Sequence, residues 1–464
     1  MKITKNIFIF ALLVLMLVCC VNAASAEETF NETLGADVAD DLAIDVAPGE
    51  TLSASGDTYV VDGNGNGDYT TISDAVSAAT GGETIFIKNG EYSESAKISV
   101  TKSLNFVGES KDGVTIKSTV TNGVFETVEN GVVLSFVNLN FKDISAGNIG
   151  TLNIGGDSNL DVINCTFDNC KSKYGTMWIK TTGTVNIENT NILNSVETAT
   201  KGATAIYLQG AGNYNIKDTV IDNAQYGAAS GFSYGTVYVS NSAATTTLDN
   251  VLISNCAGNT YATLYTYGKA SVKNSRIVAN TVPGATGNTI IRSAGNLIIE
   301  QSVIANNTAK DYLIYCNNGE ATLNYNYVAN NTVGTSIYGE GGNTHSIDAD
   351  YNYWGSNDQP TGVPVNNWVI GSDGEYTLND GGAVEKDIPI IMGSEPIVLP
   401  EGTIYVSEIG NDENDGSSEA NAVATIKQAI EIAKARENKQ STIYLLNGEA
   451  RIAYQKKIRK KEKA

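Results

Sequence analysis

Histidine and basic residues are scarce in this sequence. His345 is the only histidine in 464 residues, and 30 basic residues stand against 51 acidic ones. Histidine is the side chain whose charge changes near neutral pH, so its scarcity argues against histidine-based catalysis, and His345 itself is best interpreted as a loop or core residue. A surface this acidic repels nucleic acid and anionic lipid, and neither is an expected partner.

Long apolar runs are also lacking, except at the N-terminus. Two lysines precede an apolar run from Ile7 to Cys20, and a small-residue cleavage site follows at Ala24 to Ala26. This pattern is typical of a signal peptide, residues 1–26, and the run is too short to favour a membrane span. A lipoprotein signal at Cys19 or Cys20 is disfavoured, because Val18 and Cys19 stand where a small residue is required. We therefore expect a secreted or cell-surface protein without a membrane span after signal removal.

A repeated segment dominates the centre of the chain. Its apolar residues alternate with polar ones, and a period of 2 predicts short strands with one buried face. The spacing between copies varies from 24 to 32 residues, which argues against helical arrays and for a solenoid in which one connection per turn varies in length. The residues that mark the same position in successive copies are Val162, Ile187, Ile216, Leu248, Val272, Ile299 and Leu323.

The predicted fold class is an all-β solenoid, namely a single-stranded right-handed parallel β-helix over residues 58–360. The winding is expected to be right-handed because parallel crossovers in one sheet almost always are. A short N-terminal helix, with Thr71 and Asp74 placed as a capping box, should cover the first coil and protect its open edge. Residues 27–57 are acidic and have no sustained apolar period, so they are predicted to be a flexible leader.

Asparagine recurs between the two short strands of each repeat. Asparagine tolerates the left-handed backbone of a tight bend, and stacked asparagines can hydrogen-bond along the solenoid axis. We assign these side chains a structural role, with ligand binding as the alternative. The asparagines are Asn164, Asn189, Asn250 and Asn274, and Asp218 and Gln301 stand in the same column.

The C-terminal region contains a second copy of the N-terminal module. Residues 361–402 hold several prolines and strand-like pieces, and they are predicted to be a β-rich linker or small insert. Residues 403–449 match the first module, with Tyr405 aligned to Tyr59, and predict the start of a second β-helix module. That module stops abruptly before a basic tail, residues 450–464, so we expect a truncated chain. The alternative is a genuine tail that binds an acidic polymer.

Several segments resemble a known group of proteins. VDGNGNGDYTTISDAVSAA, IFIKNGEY, LNFVGE, the asparagine-punctuated coils and DYNYWGSN resemble the adhesin-like surface proteins of methanogenic archaea. More broadly, the chain is similar to pectate-lyase-like parallel β-helix proteins over about residues 58–360. The resemblance implies a secreted or cell-surface β-helix that binds carbohydrate or other cells. It transfers no functional residues.

The DYNYWGSN segment holds the candidate ligand-binding aromatics. Tyr351, Tyr353 and Trp354 offer large, stiff aromatic faces on which a sugar ring could stack. Such residues also close the apolar core at the last coil of a solenoid. We favour this structural alternative, capping, and keep glycan stacking as the functional hypothesis.

A weak calcium candidate lies near the start of the solenoid. Asp62, Asn64 and Asn66 match the first positions of a calcium-binding loop. Ser73 stands where the loop requires a bidentate glutamate. A turn rich in glycine and asparagine is therefore the favoured interpretation, and no metal or cofactor is expected.

Enzymatic signatures are incomplete. Polygalacturonase-like hydrolases need paired carboxylates with G-H-G and R-I-K segments, and the sequence lacks them. GFSYG, beginning at Gly231, matches G-x-S-x-G but has no partner histidine. A lyase would need Arg276 or Arg292 to meet acids from neighbouring coils. We therefore favour a non-enzymatic adhesin-like protein that binds glycans or cell surfaces, with a polysaccharide lyase or hydrolase as the alternative.

Four cysteines remain after signal removal: Cys165, Cys170, Cys256 and Cys316. Cys170 and Cys256 share a column but lie three coils apart, about 14 Å at normal strand spacing. A disulfide requires α-carbons within about 7 Å. We predict four free, largely buried thiols in a monomeric protein.

Overall fold

The protein is described by a computed structural model that covers most of the chain between residues 57 and 446. Its main body is a stack of about ten coils of parallel strands wound by one chain in a right-handed sense. The predicted fold class is thereby confirmed. The described residues are 57–111, 113–118, 123–147, 149–227, 231–257, 260–284, 288–339, 347–372, 375–389, 404–407, 411–417, 421–435 and 443–446.

Each coil contributes one strand to each of three long sheets, which we call A, B and C. Sheet A contains Thr58–Val61, Thr84–Ile87, Leu104–Gly108, Val133–Val137, Asn159–Ile163, Thr184–Glu188, Asn213–Lys217, Thr245–Asp249, Lys269–Lys273, Leu297–Glu300, Ala321–Asn324 and Ile347–Asp348. Sheet B contains Gly90–Glu94, Val114–Ser118, Asn140–Lys142, Thr166–Asp168, Asn191–Leu193, Val220–Asp222, Leu252–Ser254, Arg276–Val278, Val303–Ala305 and Tyr327–Ala329. Sheet C contains Ile98–Ser99, Phe125–Thr127, Leu152–Ile154, Met177–Ile179, Ala203–Leu208, Ser233–Val239, Thr260–Thr266, Thr289–Ser293, Tyr312–Cys316 and Thr335–Gly339.

Shorter pairings complete the secondary structure. Two-residue strands follow sheet B along the chain and form a four-stranded sheet and a separate pair. Their members are Ser145–Ala146, Lys171–Ser172, Val196–Glu197, Gln225–Tyr226, and then Thr281–Val282 with Thr308–Ala309. Val369–Ser372 and Glu375–Leu378 form an antiparallel hairpin, and Ile404–Ser407 pairs in parallel with Ile443–Leu446.

The strand register in sheet A matches the repeat read from the sequence. Val162 pairs with Ile187, and the pairing continues through each predicted position to Leu323. All of these side chains are buried. Because a slip of one residue would turn the apolar side chains outward, the alternation alone was sufficient to specify this register.

Two columns of residues with left-handed backbone form the bends on either side of sheet B. The first column contains the predicted asparagines, with φ values of 54° at Asn164 and 48° at Asn189. The amide of Asn189 donates to Oδ1 of Asn164 at 3.2 Å, whereas Asn274 donates to Asp249, a strand residue, at 2.8 Å. The sequence analysis missed the second column, which contains Asp143, Asn169, Asn194, Asn223, Asn255, Ala279, Asn306 and Asn330.

Ala279 provides a test of these bends, because it has φ 56° without an asparagine side chain. The left-handed region costs an alanine about 1–2 kcal/mol. Ala279→Asn is therefore expected to raise the free energy of unfolding by about 1 kcal/mol, and Asn189→Ala to lower it by about 1–2 kcal/mol. Urea denaturation measures both changes. Asn189→Gly should lose less than Asn189→Ala, and the opposite order would contradict the assignment of backbone strain.

Aromatic stacking fills the core of the early coils. Phe106 and Phe136 stack at 5.0 Å between ring centroids, and Phe141 and Phe167 stack at 4.5 Å. Phe125 reaches across from sheet C and meets Phe136 edge-on at 4.9 Å. The core is therefore a continuous column of rings, since partners one coil apart lie at stacking distance.

Helix α1, Ile72–Ala78, covers the first coil as predicted. Its N-cap Thr71 accepts a hydrogen bond from the backbone N–H of Asp74, and its hydroxyl donates to the Asp74 carboxylate at 2.7 Å, so these two residues of the predicted capping box cap the helix. Ile72, Ala75 and Val76 are buried against the solenoid core.

The C-terminal end of the solenoid is closed by tyrosines. Tyr351 stacks on Tyr325 at 5.4 Å, and Tyr353 lies between Tyr327 at 5.1 Å and Tyr376 at 5.3 Å. Trp354 is partly buried against the main core. These aromatic faces contact other aromatic residues of the protein, an arrangement that matches the capping alternative.

The segment predicted as a linker is continuous with the solenoid in its described part. Tyr353 forms a parallel bridge with Val369, and Val369 and Ile388 are buried with Tyr325. The hairpin therefore lies on the last coil. Residues 390–403 lie outside the described residues.

The second module repeats the first with one correction to its alignment. Helix α2, Ile426–Ala435, has the predicted cap, since the N–H of Gln428 donates to Thr425. Val406 bridges Val423 as Val61 bridges Tyr69, so Tyr405 corresponds to Val60 and not to Tyr59. The alignment read from the sequence was therefore shifted by one residue. Because successive side chains of a strand point to opposite faces, the corrected alignment places Tyr405 on the opposite face of its strand.

The four cysteines of the solenoid are buried and carry free thiols. Burial raises the pKa of Cys165 and of Cys170 to about 12, so both stay protonated and unreactive. No helix among the described residues has the length and hydrophobicity needed to span a membrane. The predicted signal peptide, most of the acidic leader, His345 and the basic tail lie outside the described residues.

Candidate functional site

Seven side chains form a line along the outer face of sheet C. Strand register pairs each with the next one coil away, so neighbours are separated by about 4.8 Å. Six of the seven are aromatic. The column contains Trp178, Tyr207, Tyr238, Tyr265, Arg292, Tyr315 and Tyr338.

A second layer of aromatic residues lies over and beside this column. Tyr234 stacks on Tyr238 at 4.6 Å and on Tyr261 at 6.0 Å, and Tyr267 stacks on Tyr265 at 5.0 Å. We call the column and this layer together the aromatic face. The second layer contains Tyr174, Phe232, Tyr234, Tyr261, Tyr267 and Tyr312.

The two layers differ in exposure. Tyr207, Tyr238 and Tyr265 are 8%, 5% and 4% exposed, whereas Tyr267 is 37% exposed and Tyr234 is half-buried. These three buried tyrosines form the rigid inner layer of the aromatic face. The outer rings present apolar surface to solvent, which is the arrangement needed to contact a ligand without prior reorganisation.

Burial also determines the protonation state of the inner tyrosine hydroxyls. It raises the pKa of Tyr238 and of Tyr265 above the ordinary phenol value, and charge repulsion from neighbouring phenols adds to the effect at Tyr238. Both hydroxyls therefore remain neutral at physiological pH and can donate hydrogen bonds. The hydroxyl of Tyr265 does so with that of Tyr267 at 2.8 Å.

Arg292 interrupts the tyrosine column but continues its stacking. Its guanidinium carbon lies 5.1 Å from the ring centre of Tyr265 and 4.7 Å from that of Tyr315. The planar cation is thus held between two rings, which is a favourable cation–π geometry. It brings a positive charge into the middle of the aromatic face.

A polar cluster adjoins Trp178 at one end of the face. The ammonium of Lys180 lies 4.2 Å from the Trp178 ring centre, and the indole N–H donates to Gln209 at 2.9 Å. Lys97 and Asn153 both contact the carboxylate of Glu126. Burial lowers the pKa of Lys180, although Glu126 partly offsets this effect.

The candidate residues from the sequence lie elsewhere. Asp62 accepts a hydrogen bond from the N–H of Asn64 at 2.8 Å, which closes a local turn. Within the part of the chain that the structure describes, no three His, Cys, Asp or Glu side chains gather as a metal cluster. Ser233 of GFSYG is buried and donates to the carbonyl of Gly202 at 3.1 Å, so it has no nucleophile geometry.

The sequence contained a signal for the aromatic face that the repeat analysis did not use. Seven of the ten sheet C strands carry an apolar residue followed directly by the outward residue of the column. The pairs are Met177–Trp178, Ile206–Tyr207, Val237–Tyr238, Leu264–Tyr265, Ile291–Arg292, Ile314–Tyr315 and Ile337–Tyr338. Variable loop lengths before these strands obscure their periodicity.

Comparison with solved structures shows only distant similarity. An alginate lyase of family PL6 is 13% identical with a TM-score of 0.37, and the match covers 85% of this chain but 65% of the lyase, slightly less than two thirds. A pectate lyase is 13% identical with a TM-score of 0.34 over 74% of this chain and 91% of its own. A GH87 α-1,3-glucanase from Streptomyces thermodiastaticus is 14% identical with a TM-score of 0.30 over 61% of this chain and 65% of its own.

No protein-family model and no curated protein sequence matches this chain. The strand order and register by themselves define a parallel β-helix with three long sheets. At these identities and TM-scores, the similarities carry no information about activity.

Proposed function

We propose that this protein is a non-catalytic β-helix of the cell exterior that binds a glycan along the aromatic face. One observation supports this most directly: Trp178 and five tyrosines stand in a single column along the coil axis. Six intervals of about 4.8 Å give the column a length of roughly 29 Å, which accommodates several sugar rings.

The chemistry of the face suits a carbohydrate better than an apolar peptide. Half-exposed rings such as Trp178 and Tyr261 provide apolar surface for the C–H faces of sugars. Phenol hydroxyls, Gln209 and Arg292 provide hydrogen-bond partners for sugar hydroxyls between those rings. Such a mixture of stiff aromatic surface and a few fixed polar groups is typical of ligand sites that need orientation as well as contact.

Binding to a glycan array by the full chain tests the proposal. Trp178→Ala and Tyr261→Ala are each expected to weaken binding of the selected glycan roughly 3- to 10-fold, because a stacking contact contributes about 0.5–1.5 kcal/mol. Tyr59→Ala is the matched control, since Tyr59 is a half-buried tyrosine far from sheet C, paired with Tyr69.

The outcomes separate three interpretations. Equal binding by wild type, Trp178→Ala and Tyr261→Ala would exclude the aromatic face as the glycan site. Concentration-dependent dimerisation that both substitutions abolish would assign the face to a second copy of the chain. Binding that weakens in the two variants and stays unchanged in Tyr59→Ala supports the proposal.

A second candidate function is a polysaccharide lyase. The observation that favours it is Lys180, a half-buried lysine with a lowered pKa beside Trp178 and Glu126, because a lyase needs a basic group beside a bound sugar. Ultraviolet absorbance of unsaturated products measures this activity. Product formation that Lys180→Met abolishes would replace the binding proposal, and its absence with glycans that bind would reject the lyase.

Secretion and cell-surface attachment complete the proposal. They rest on the N-terminal sequence pattern and on the resemblance to adhesin-like proteins. Fractionation of the source cells tests them. Recovery of the uncleaved chain from the cytoplasm would contradict both.

A further inference from the structure

Two asparagines in the second column of bend residues lie in the N-x-S/T acceptor sequence for N-linked glycosylation. Asn306 and Asn330 are followed two residues later by Thr308 and Thr332, respectively. All four of these residues are exposed, and the two threonines are joined by a parallel bridge between successive coils. The amide and the hydroxyl that an acceptor site requires therefore both lie at the surface of each bend.

The other asparagines of this column use their side-chain amides within the solenoid. Each amide donates a hydrogen bond of 2.7 to 2.8 Å to an oxygen on the preceding coil. The pairs of donor and acceptor are Asn169 with Asp143, Asn194 with Asp168, Asn223 with Asn194, and Asn255 with Asp222. These four asparagines lie outside acceptor sequences. The bend itself therefore does not require a threonine two residues further on.

The amides of Asn306 and Asn330 differ, because they donate to no group within the described part of the solenoid. The coil that precedes Asn306 presents Val278 and Ala279 at the positions where earlier coils present an aspartate or asparagine acceptor. The strand that precedes Asn330 on the neighbouring coil ends in Ala305, which likewise offers no side-chain oxygen. Both amide nitrogens are thus exposed and free to be modified without the loss of a contact.

Asn164 provides the internal contrast, because it also lies in an acceptor sequence but its amide is engaged. It is half-buried, its amide donates to Oδ1 of Asn138 at 2.6 Å, and its own Oδ1 accepts from Asn189 at 3.2 Å. A sugar on this nitrogen would replace one of its hydrogens and separate the stacked side chains. Each hydrogen bond lost in this way costs about 0.5–1.5 kcal/mol.

We propose that Asn306 and Asn330 are N-glycosylation sites and that Asn164 is not. The donor is an oligosaccharide joined through phosphate to a membrane lipid. The side-chain nitrogen bonds to the anomeric carbon of the first sugar, the bond from that carbon to the phosphate oxygen breaks, and the displaced amide proton passes to the released phosphate. This inference rests on the proposed export of the chain and is independent of glycan binding by the aromatic face.

Peptide mapping by mass spectrometry of the full chain from its source cells tests the proposal. The two asparagines lie one coil apart, about 4.8 Å, so a sugar on one crowds the other. The expected result is a sugar on Asn306, on Asn330 or on both, with Asn164 unmodified. The N-terminal peptide in the same map shows whether residues 1–26 have been removed, so export is measured separately.

The outcomes distinguish this proposal from the proposal of export. Unmodified Asn306 and Asn330 in a chain that lacks residues 1–26 would overturn the glycosylation sites and leave export supported. A sugar on Asn164 would overturn the selection of sites by free amides. An uncleaved chain without sugars would contradict export and glycosylation together.

Substitution of the threonines separates modification from folding. Thr308→Val removes the acceptor hydroxyl but retains Asn306 and the side-chain shape, so the sugar on Asn306 should be lost. Thr308→Ser is the matched control that keeps the acceptor sequence and should keep the sugar. Thr308 is exposed, so both changes should alter stability by about 0.5 kcal/mol or less. The same two substitutions at Thr332 test Asn330, and a sugar that persists in either valine variant would overturn the assignment of that site.

Discussion

Replacing Phe136 by alanine is expected to lower the free energy of unfolding by about 3–5 kcal/mol. Phe136 is 0% exposed and contacts three other rings, with Phe106 stacked at 5.0 Å, Phe125 edge-on at 4.9 Å and Phe141 at 6.3 Å. Its removal leaves a cavity that neighbouring coils cannot fill, because the backbone hydrogen bonds fix the coil spacing. Loss of the ring contacts adds to the cost of that cavity.

Unfolding of the Phe136→Ala variant should begin locally. Each coil contacts mainly its neighbours, so the coils around Phe136 should open first. Urea denaturation with hydrogen exchange measures both the loss and its position. Val133→Ala, on the same strand but 39% exposed, should cost less than about 1 kcal/mol. A similar loss in both variants would contradict the stacked core.

The second large effect concerns Glu197 and pH. Burial raises the pKa of Glu197 to about 8 in the folded protein, against 4.5 as its ordinary value. Between these values the folded state binds more protons than the unfolded state, so stability falls as pH rises. The slope should approach about 1.4 kcal/mol per pH unit, and it should end above pH 8.

Glu197→Gln should remove this slope, because the amide does not titrate. The variant is expected to be more stable than wild type above pH 8 and to differ little well below pH 4.5, where the wild-type carboxyl is neutral in both states. Denaturation curves over the pH range measure the difference. The exposed control Glu129→Gln should retain the wild-type slope. Parallel curves for wild type and Glu197→Gln would show that Glu197 does not titrate in this range.

The bends show which features of the coil the local sequence pattern predicts. Asparagine in the first column was predicted from its tolerance of left-handed backbone, and Asn164 and Asn189 adopt that conformation. The second column follows the same rule but escaped notice because the strand between the two bends has only three residues in most coils. The partner of Asn274 is Asp249, since side-chain bonding depends on which acceptor the neighbouring coil presents.

The aromatic face shows what the local sequence pattern did not reveal. Tyr351 and Tyr353 were kept as glycan-stacking candidates because aromatic residues cluster there in sequence, and their rings contact those of Tyr325 and Tyr376 at the solenoid end. Trp178 and Tyr338 are far apart in sequence and belong to one line of side chains on sheet C. Loops of variable length separate these strands, so no fixed spacing in the sequence connects the members of the aromatic face.

The sequence by itself determined the coil, the repeat register in sheet A and the helix that covers the first coil. These features depend on alternation, bend residues and a cap, which act within a few residues of one another. Only the tertiary structure decided which outward side chains stack into the aromatic face. This face depends on the stacking of coils, where residues about 25 to 30 positions apart become neighbours through hydrogen bonds that no local pattern encodes.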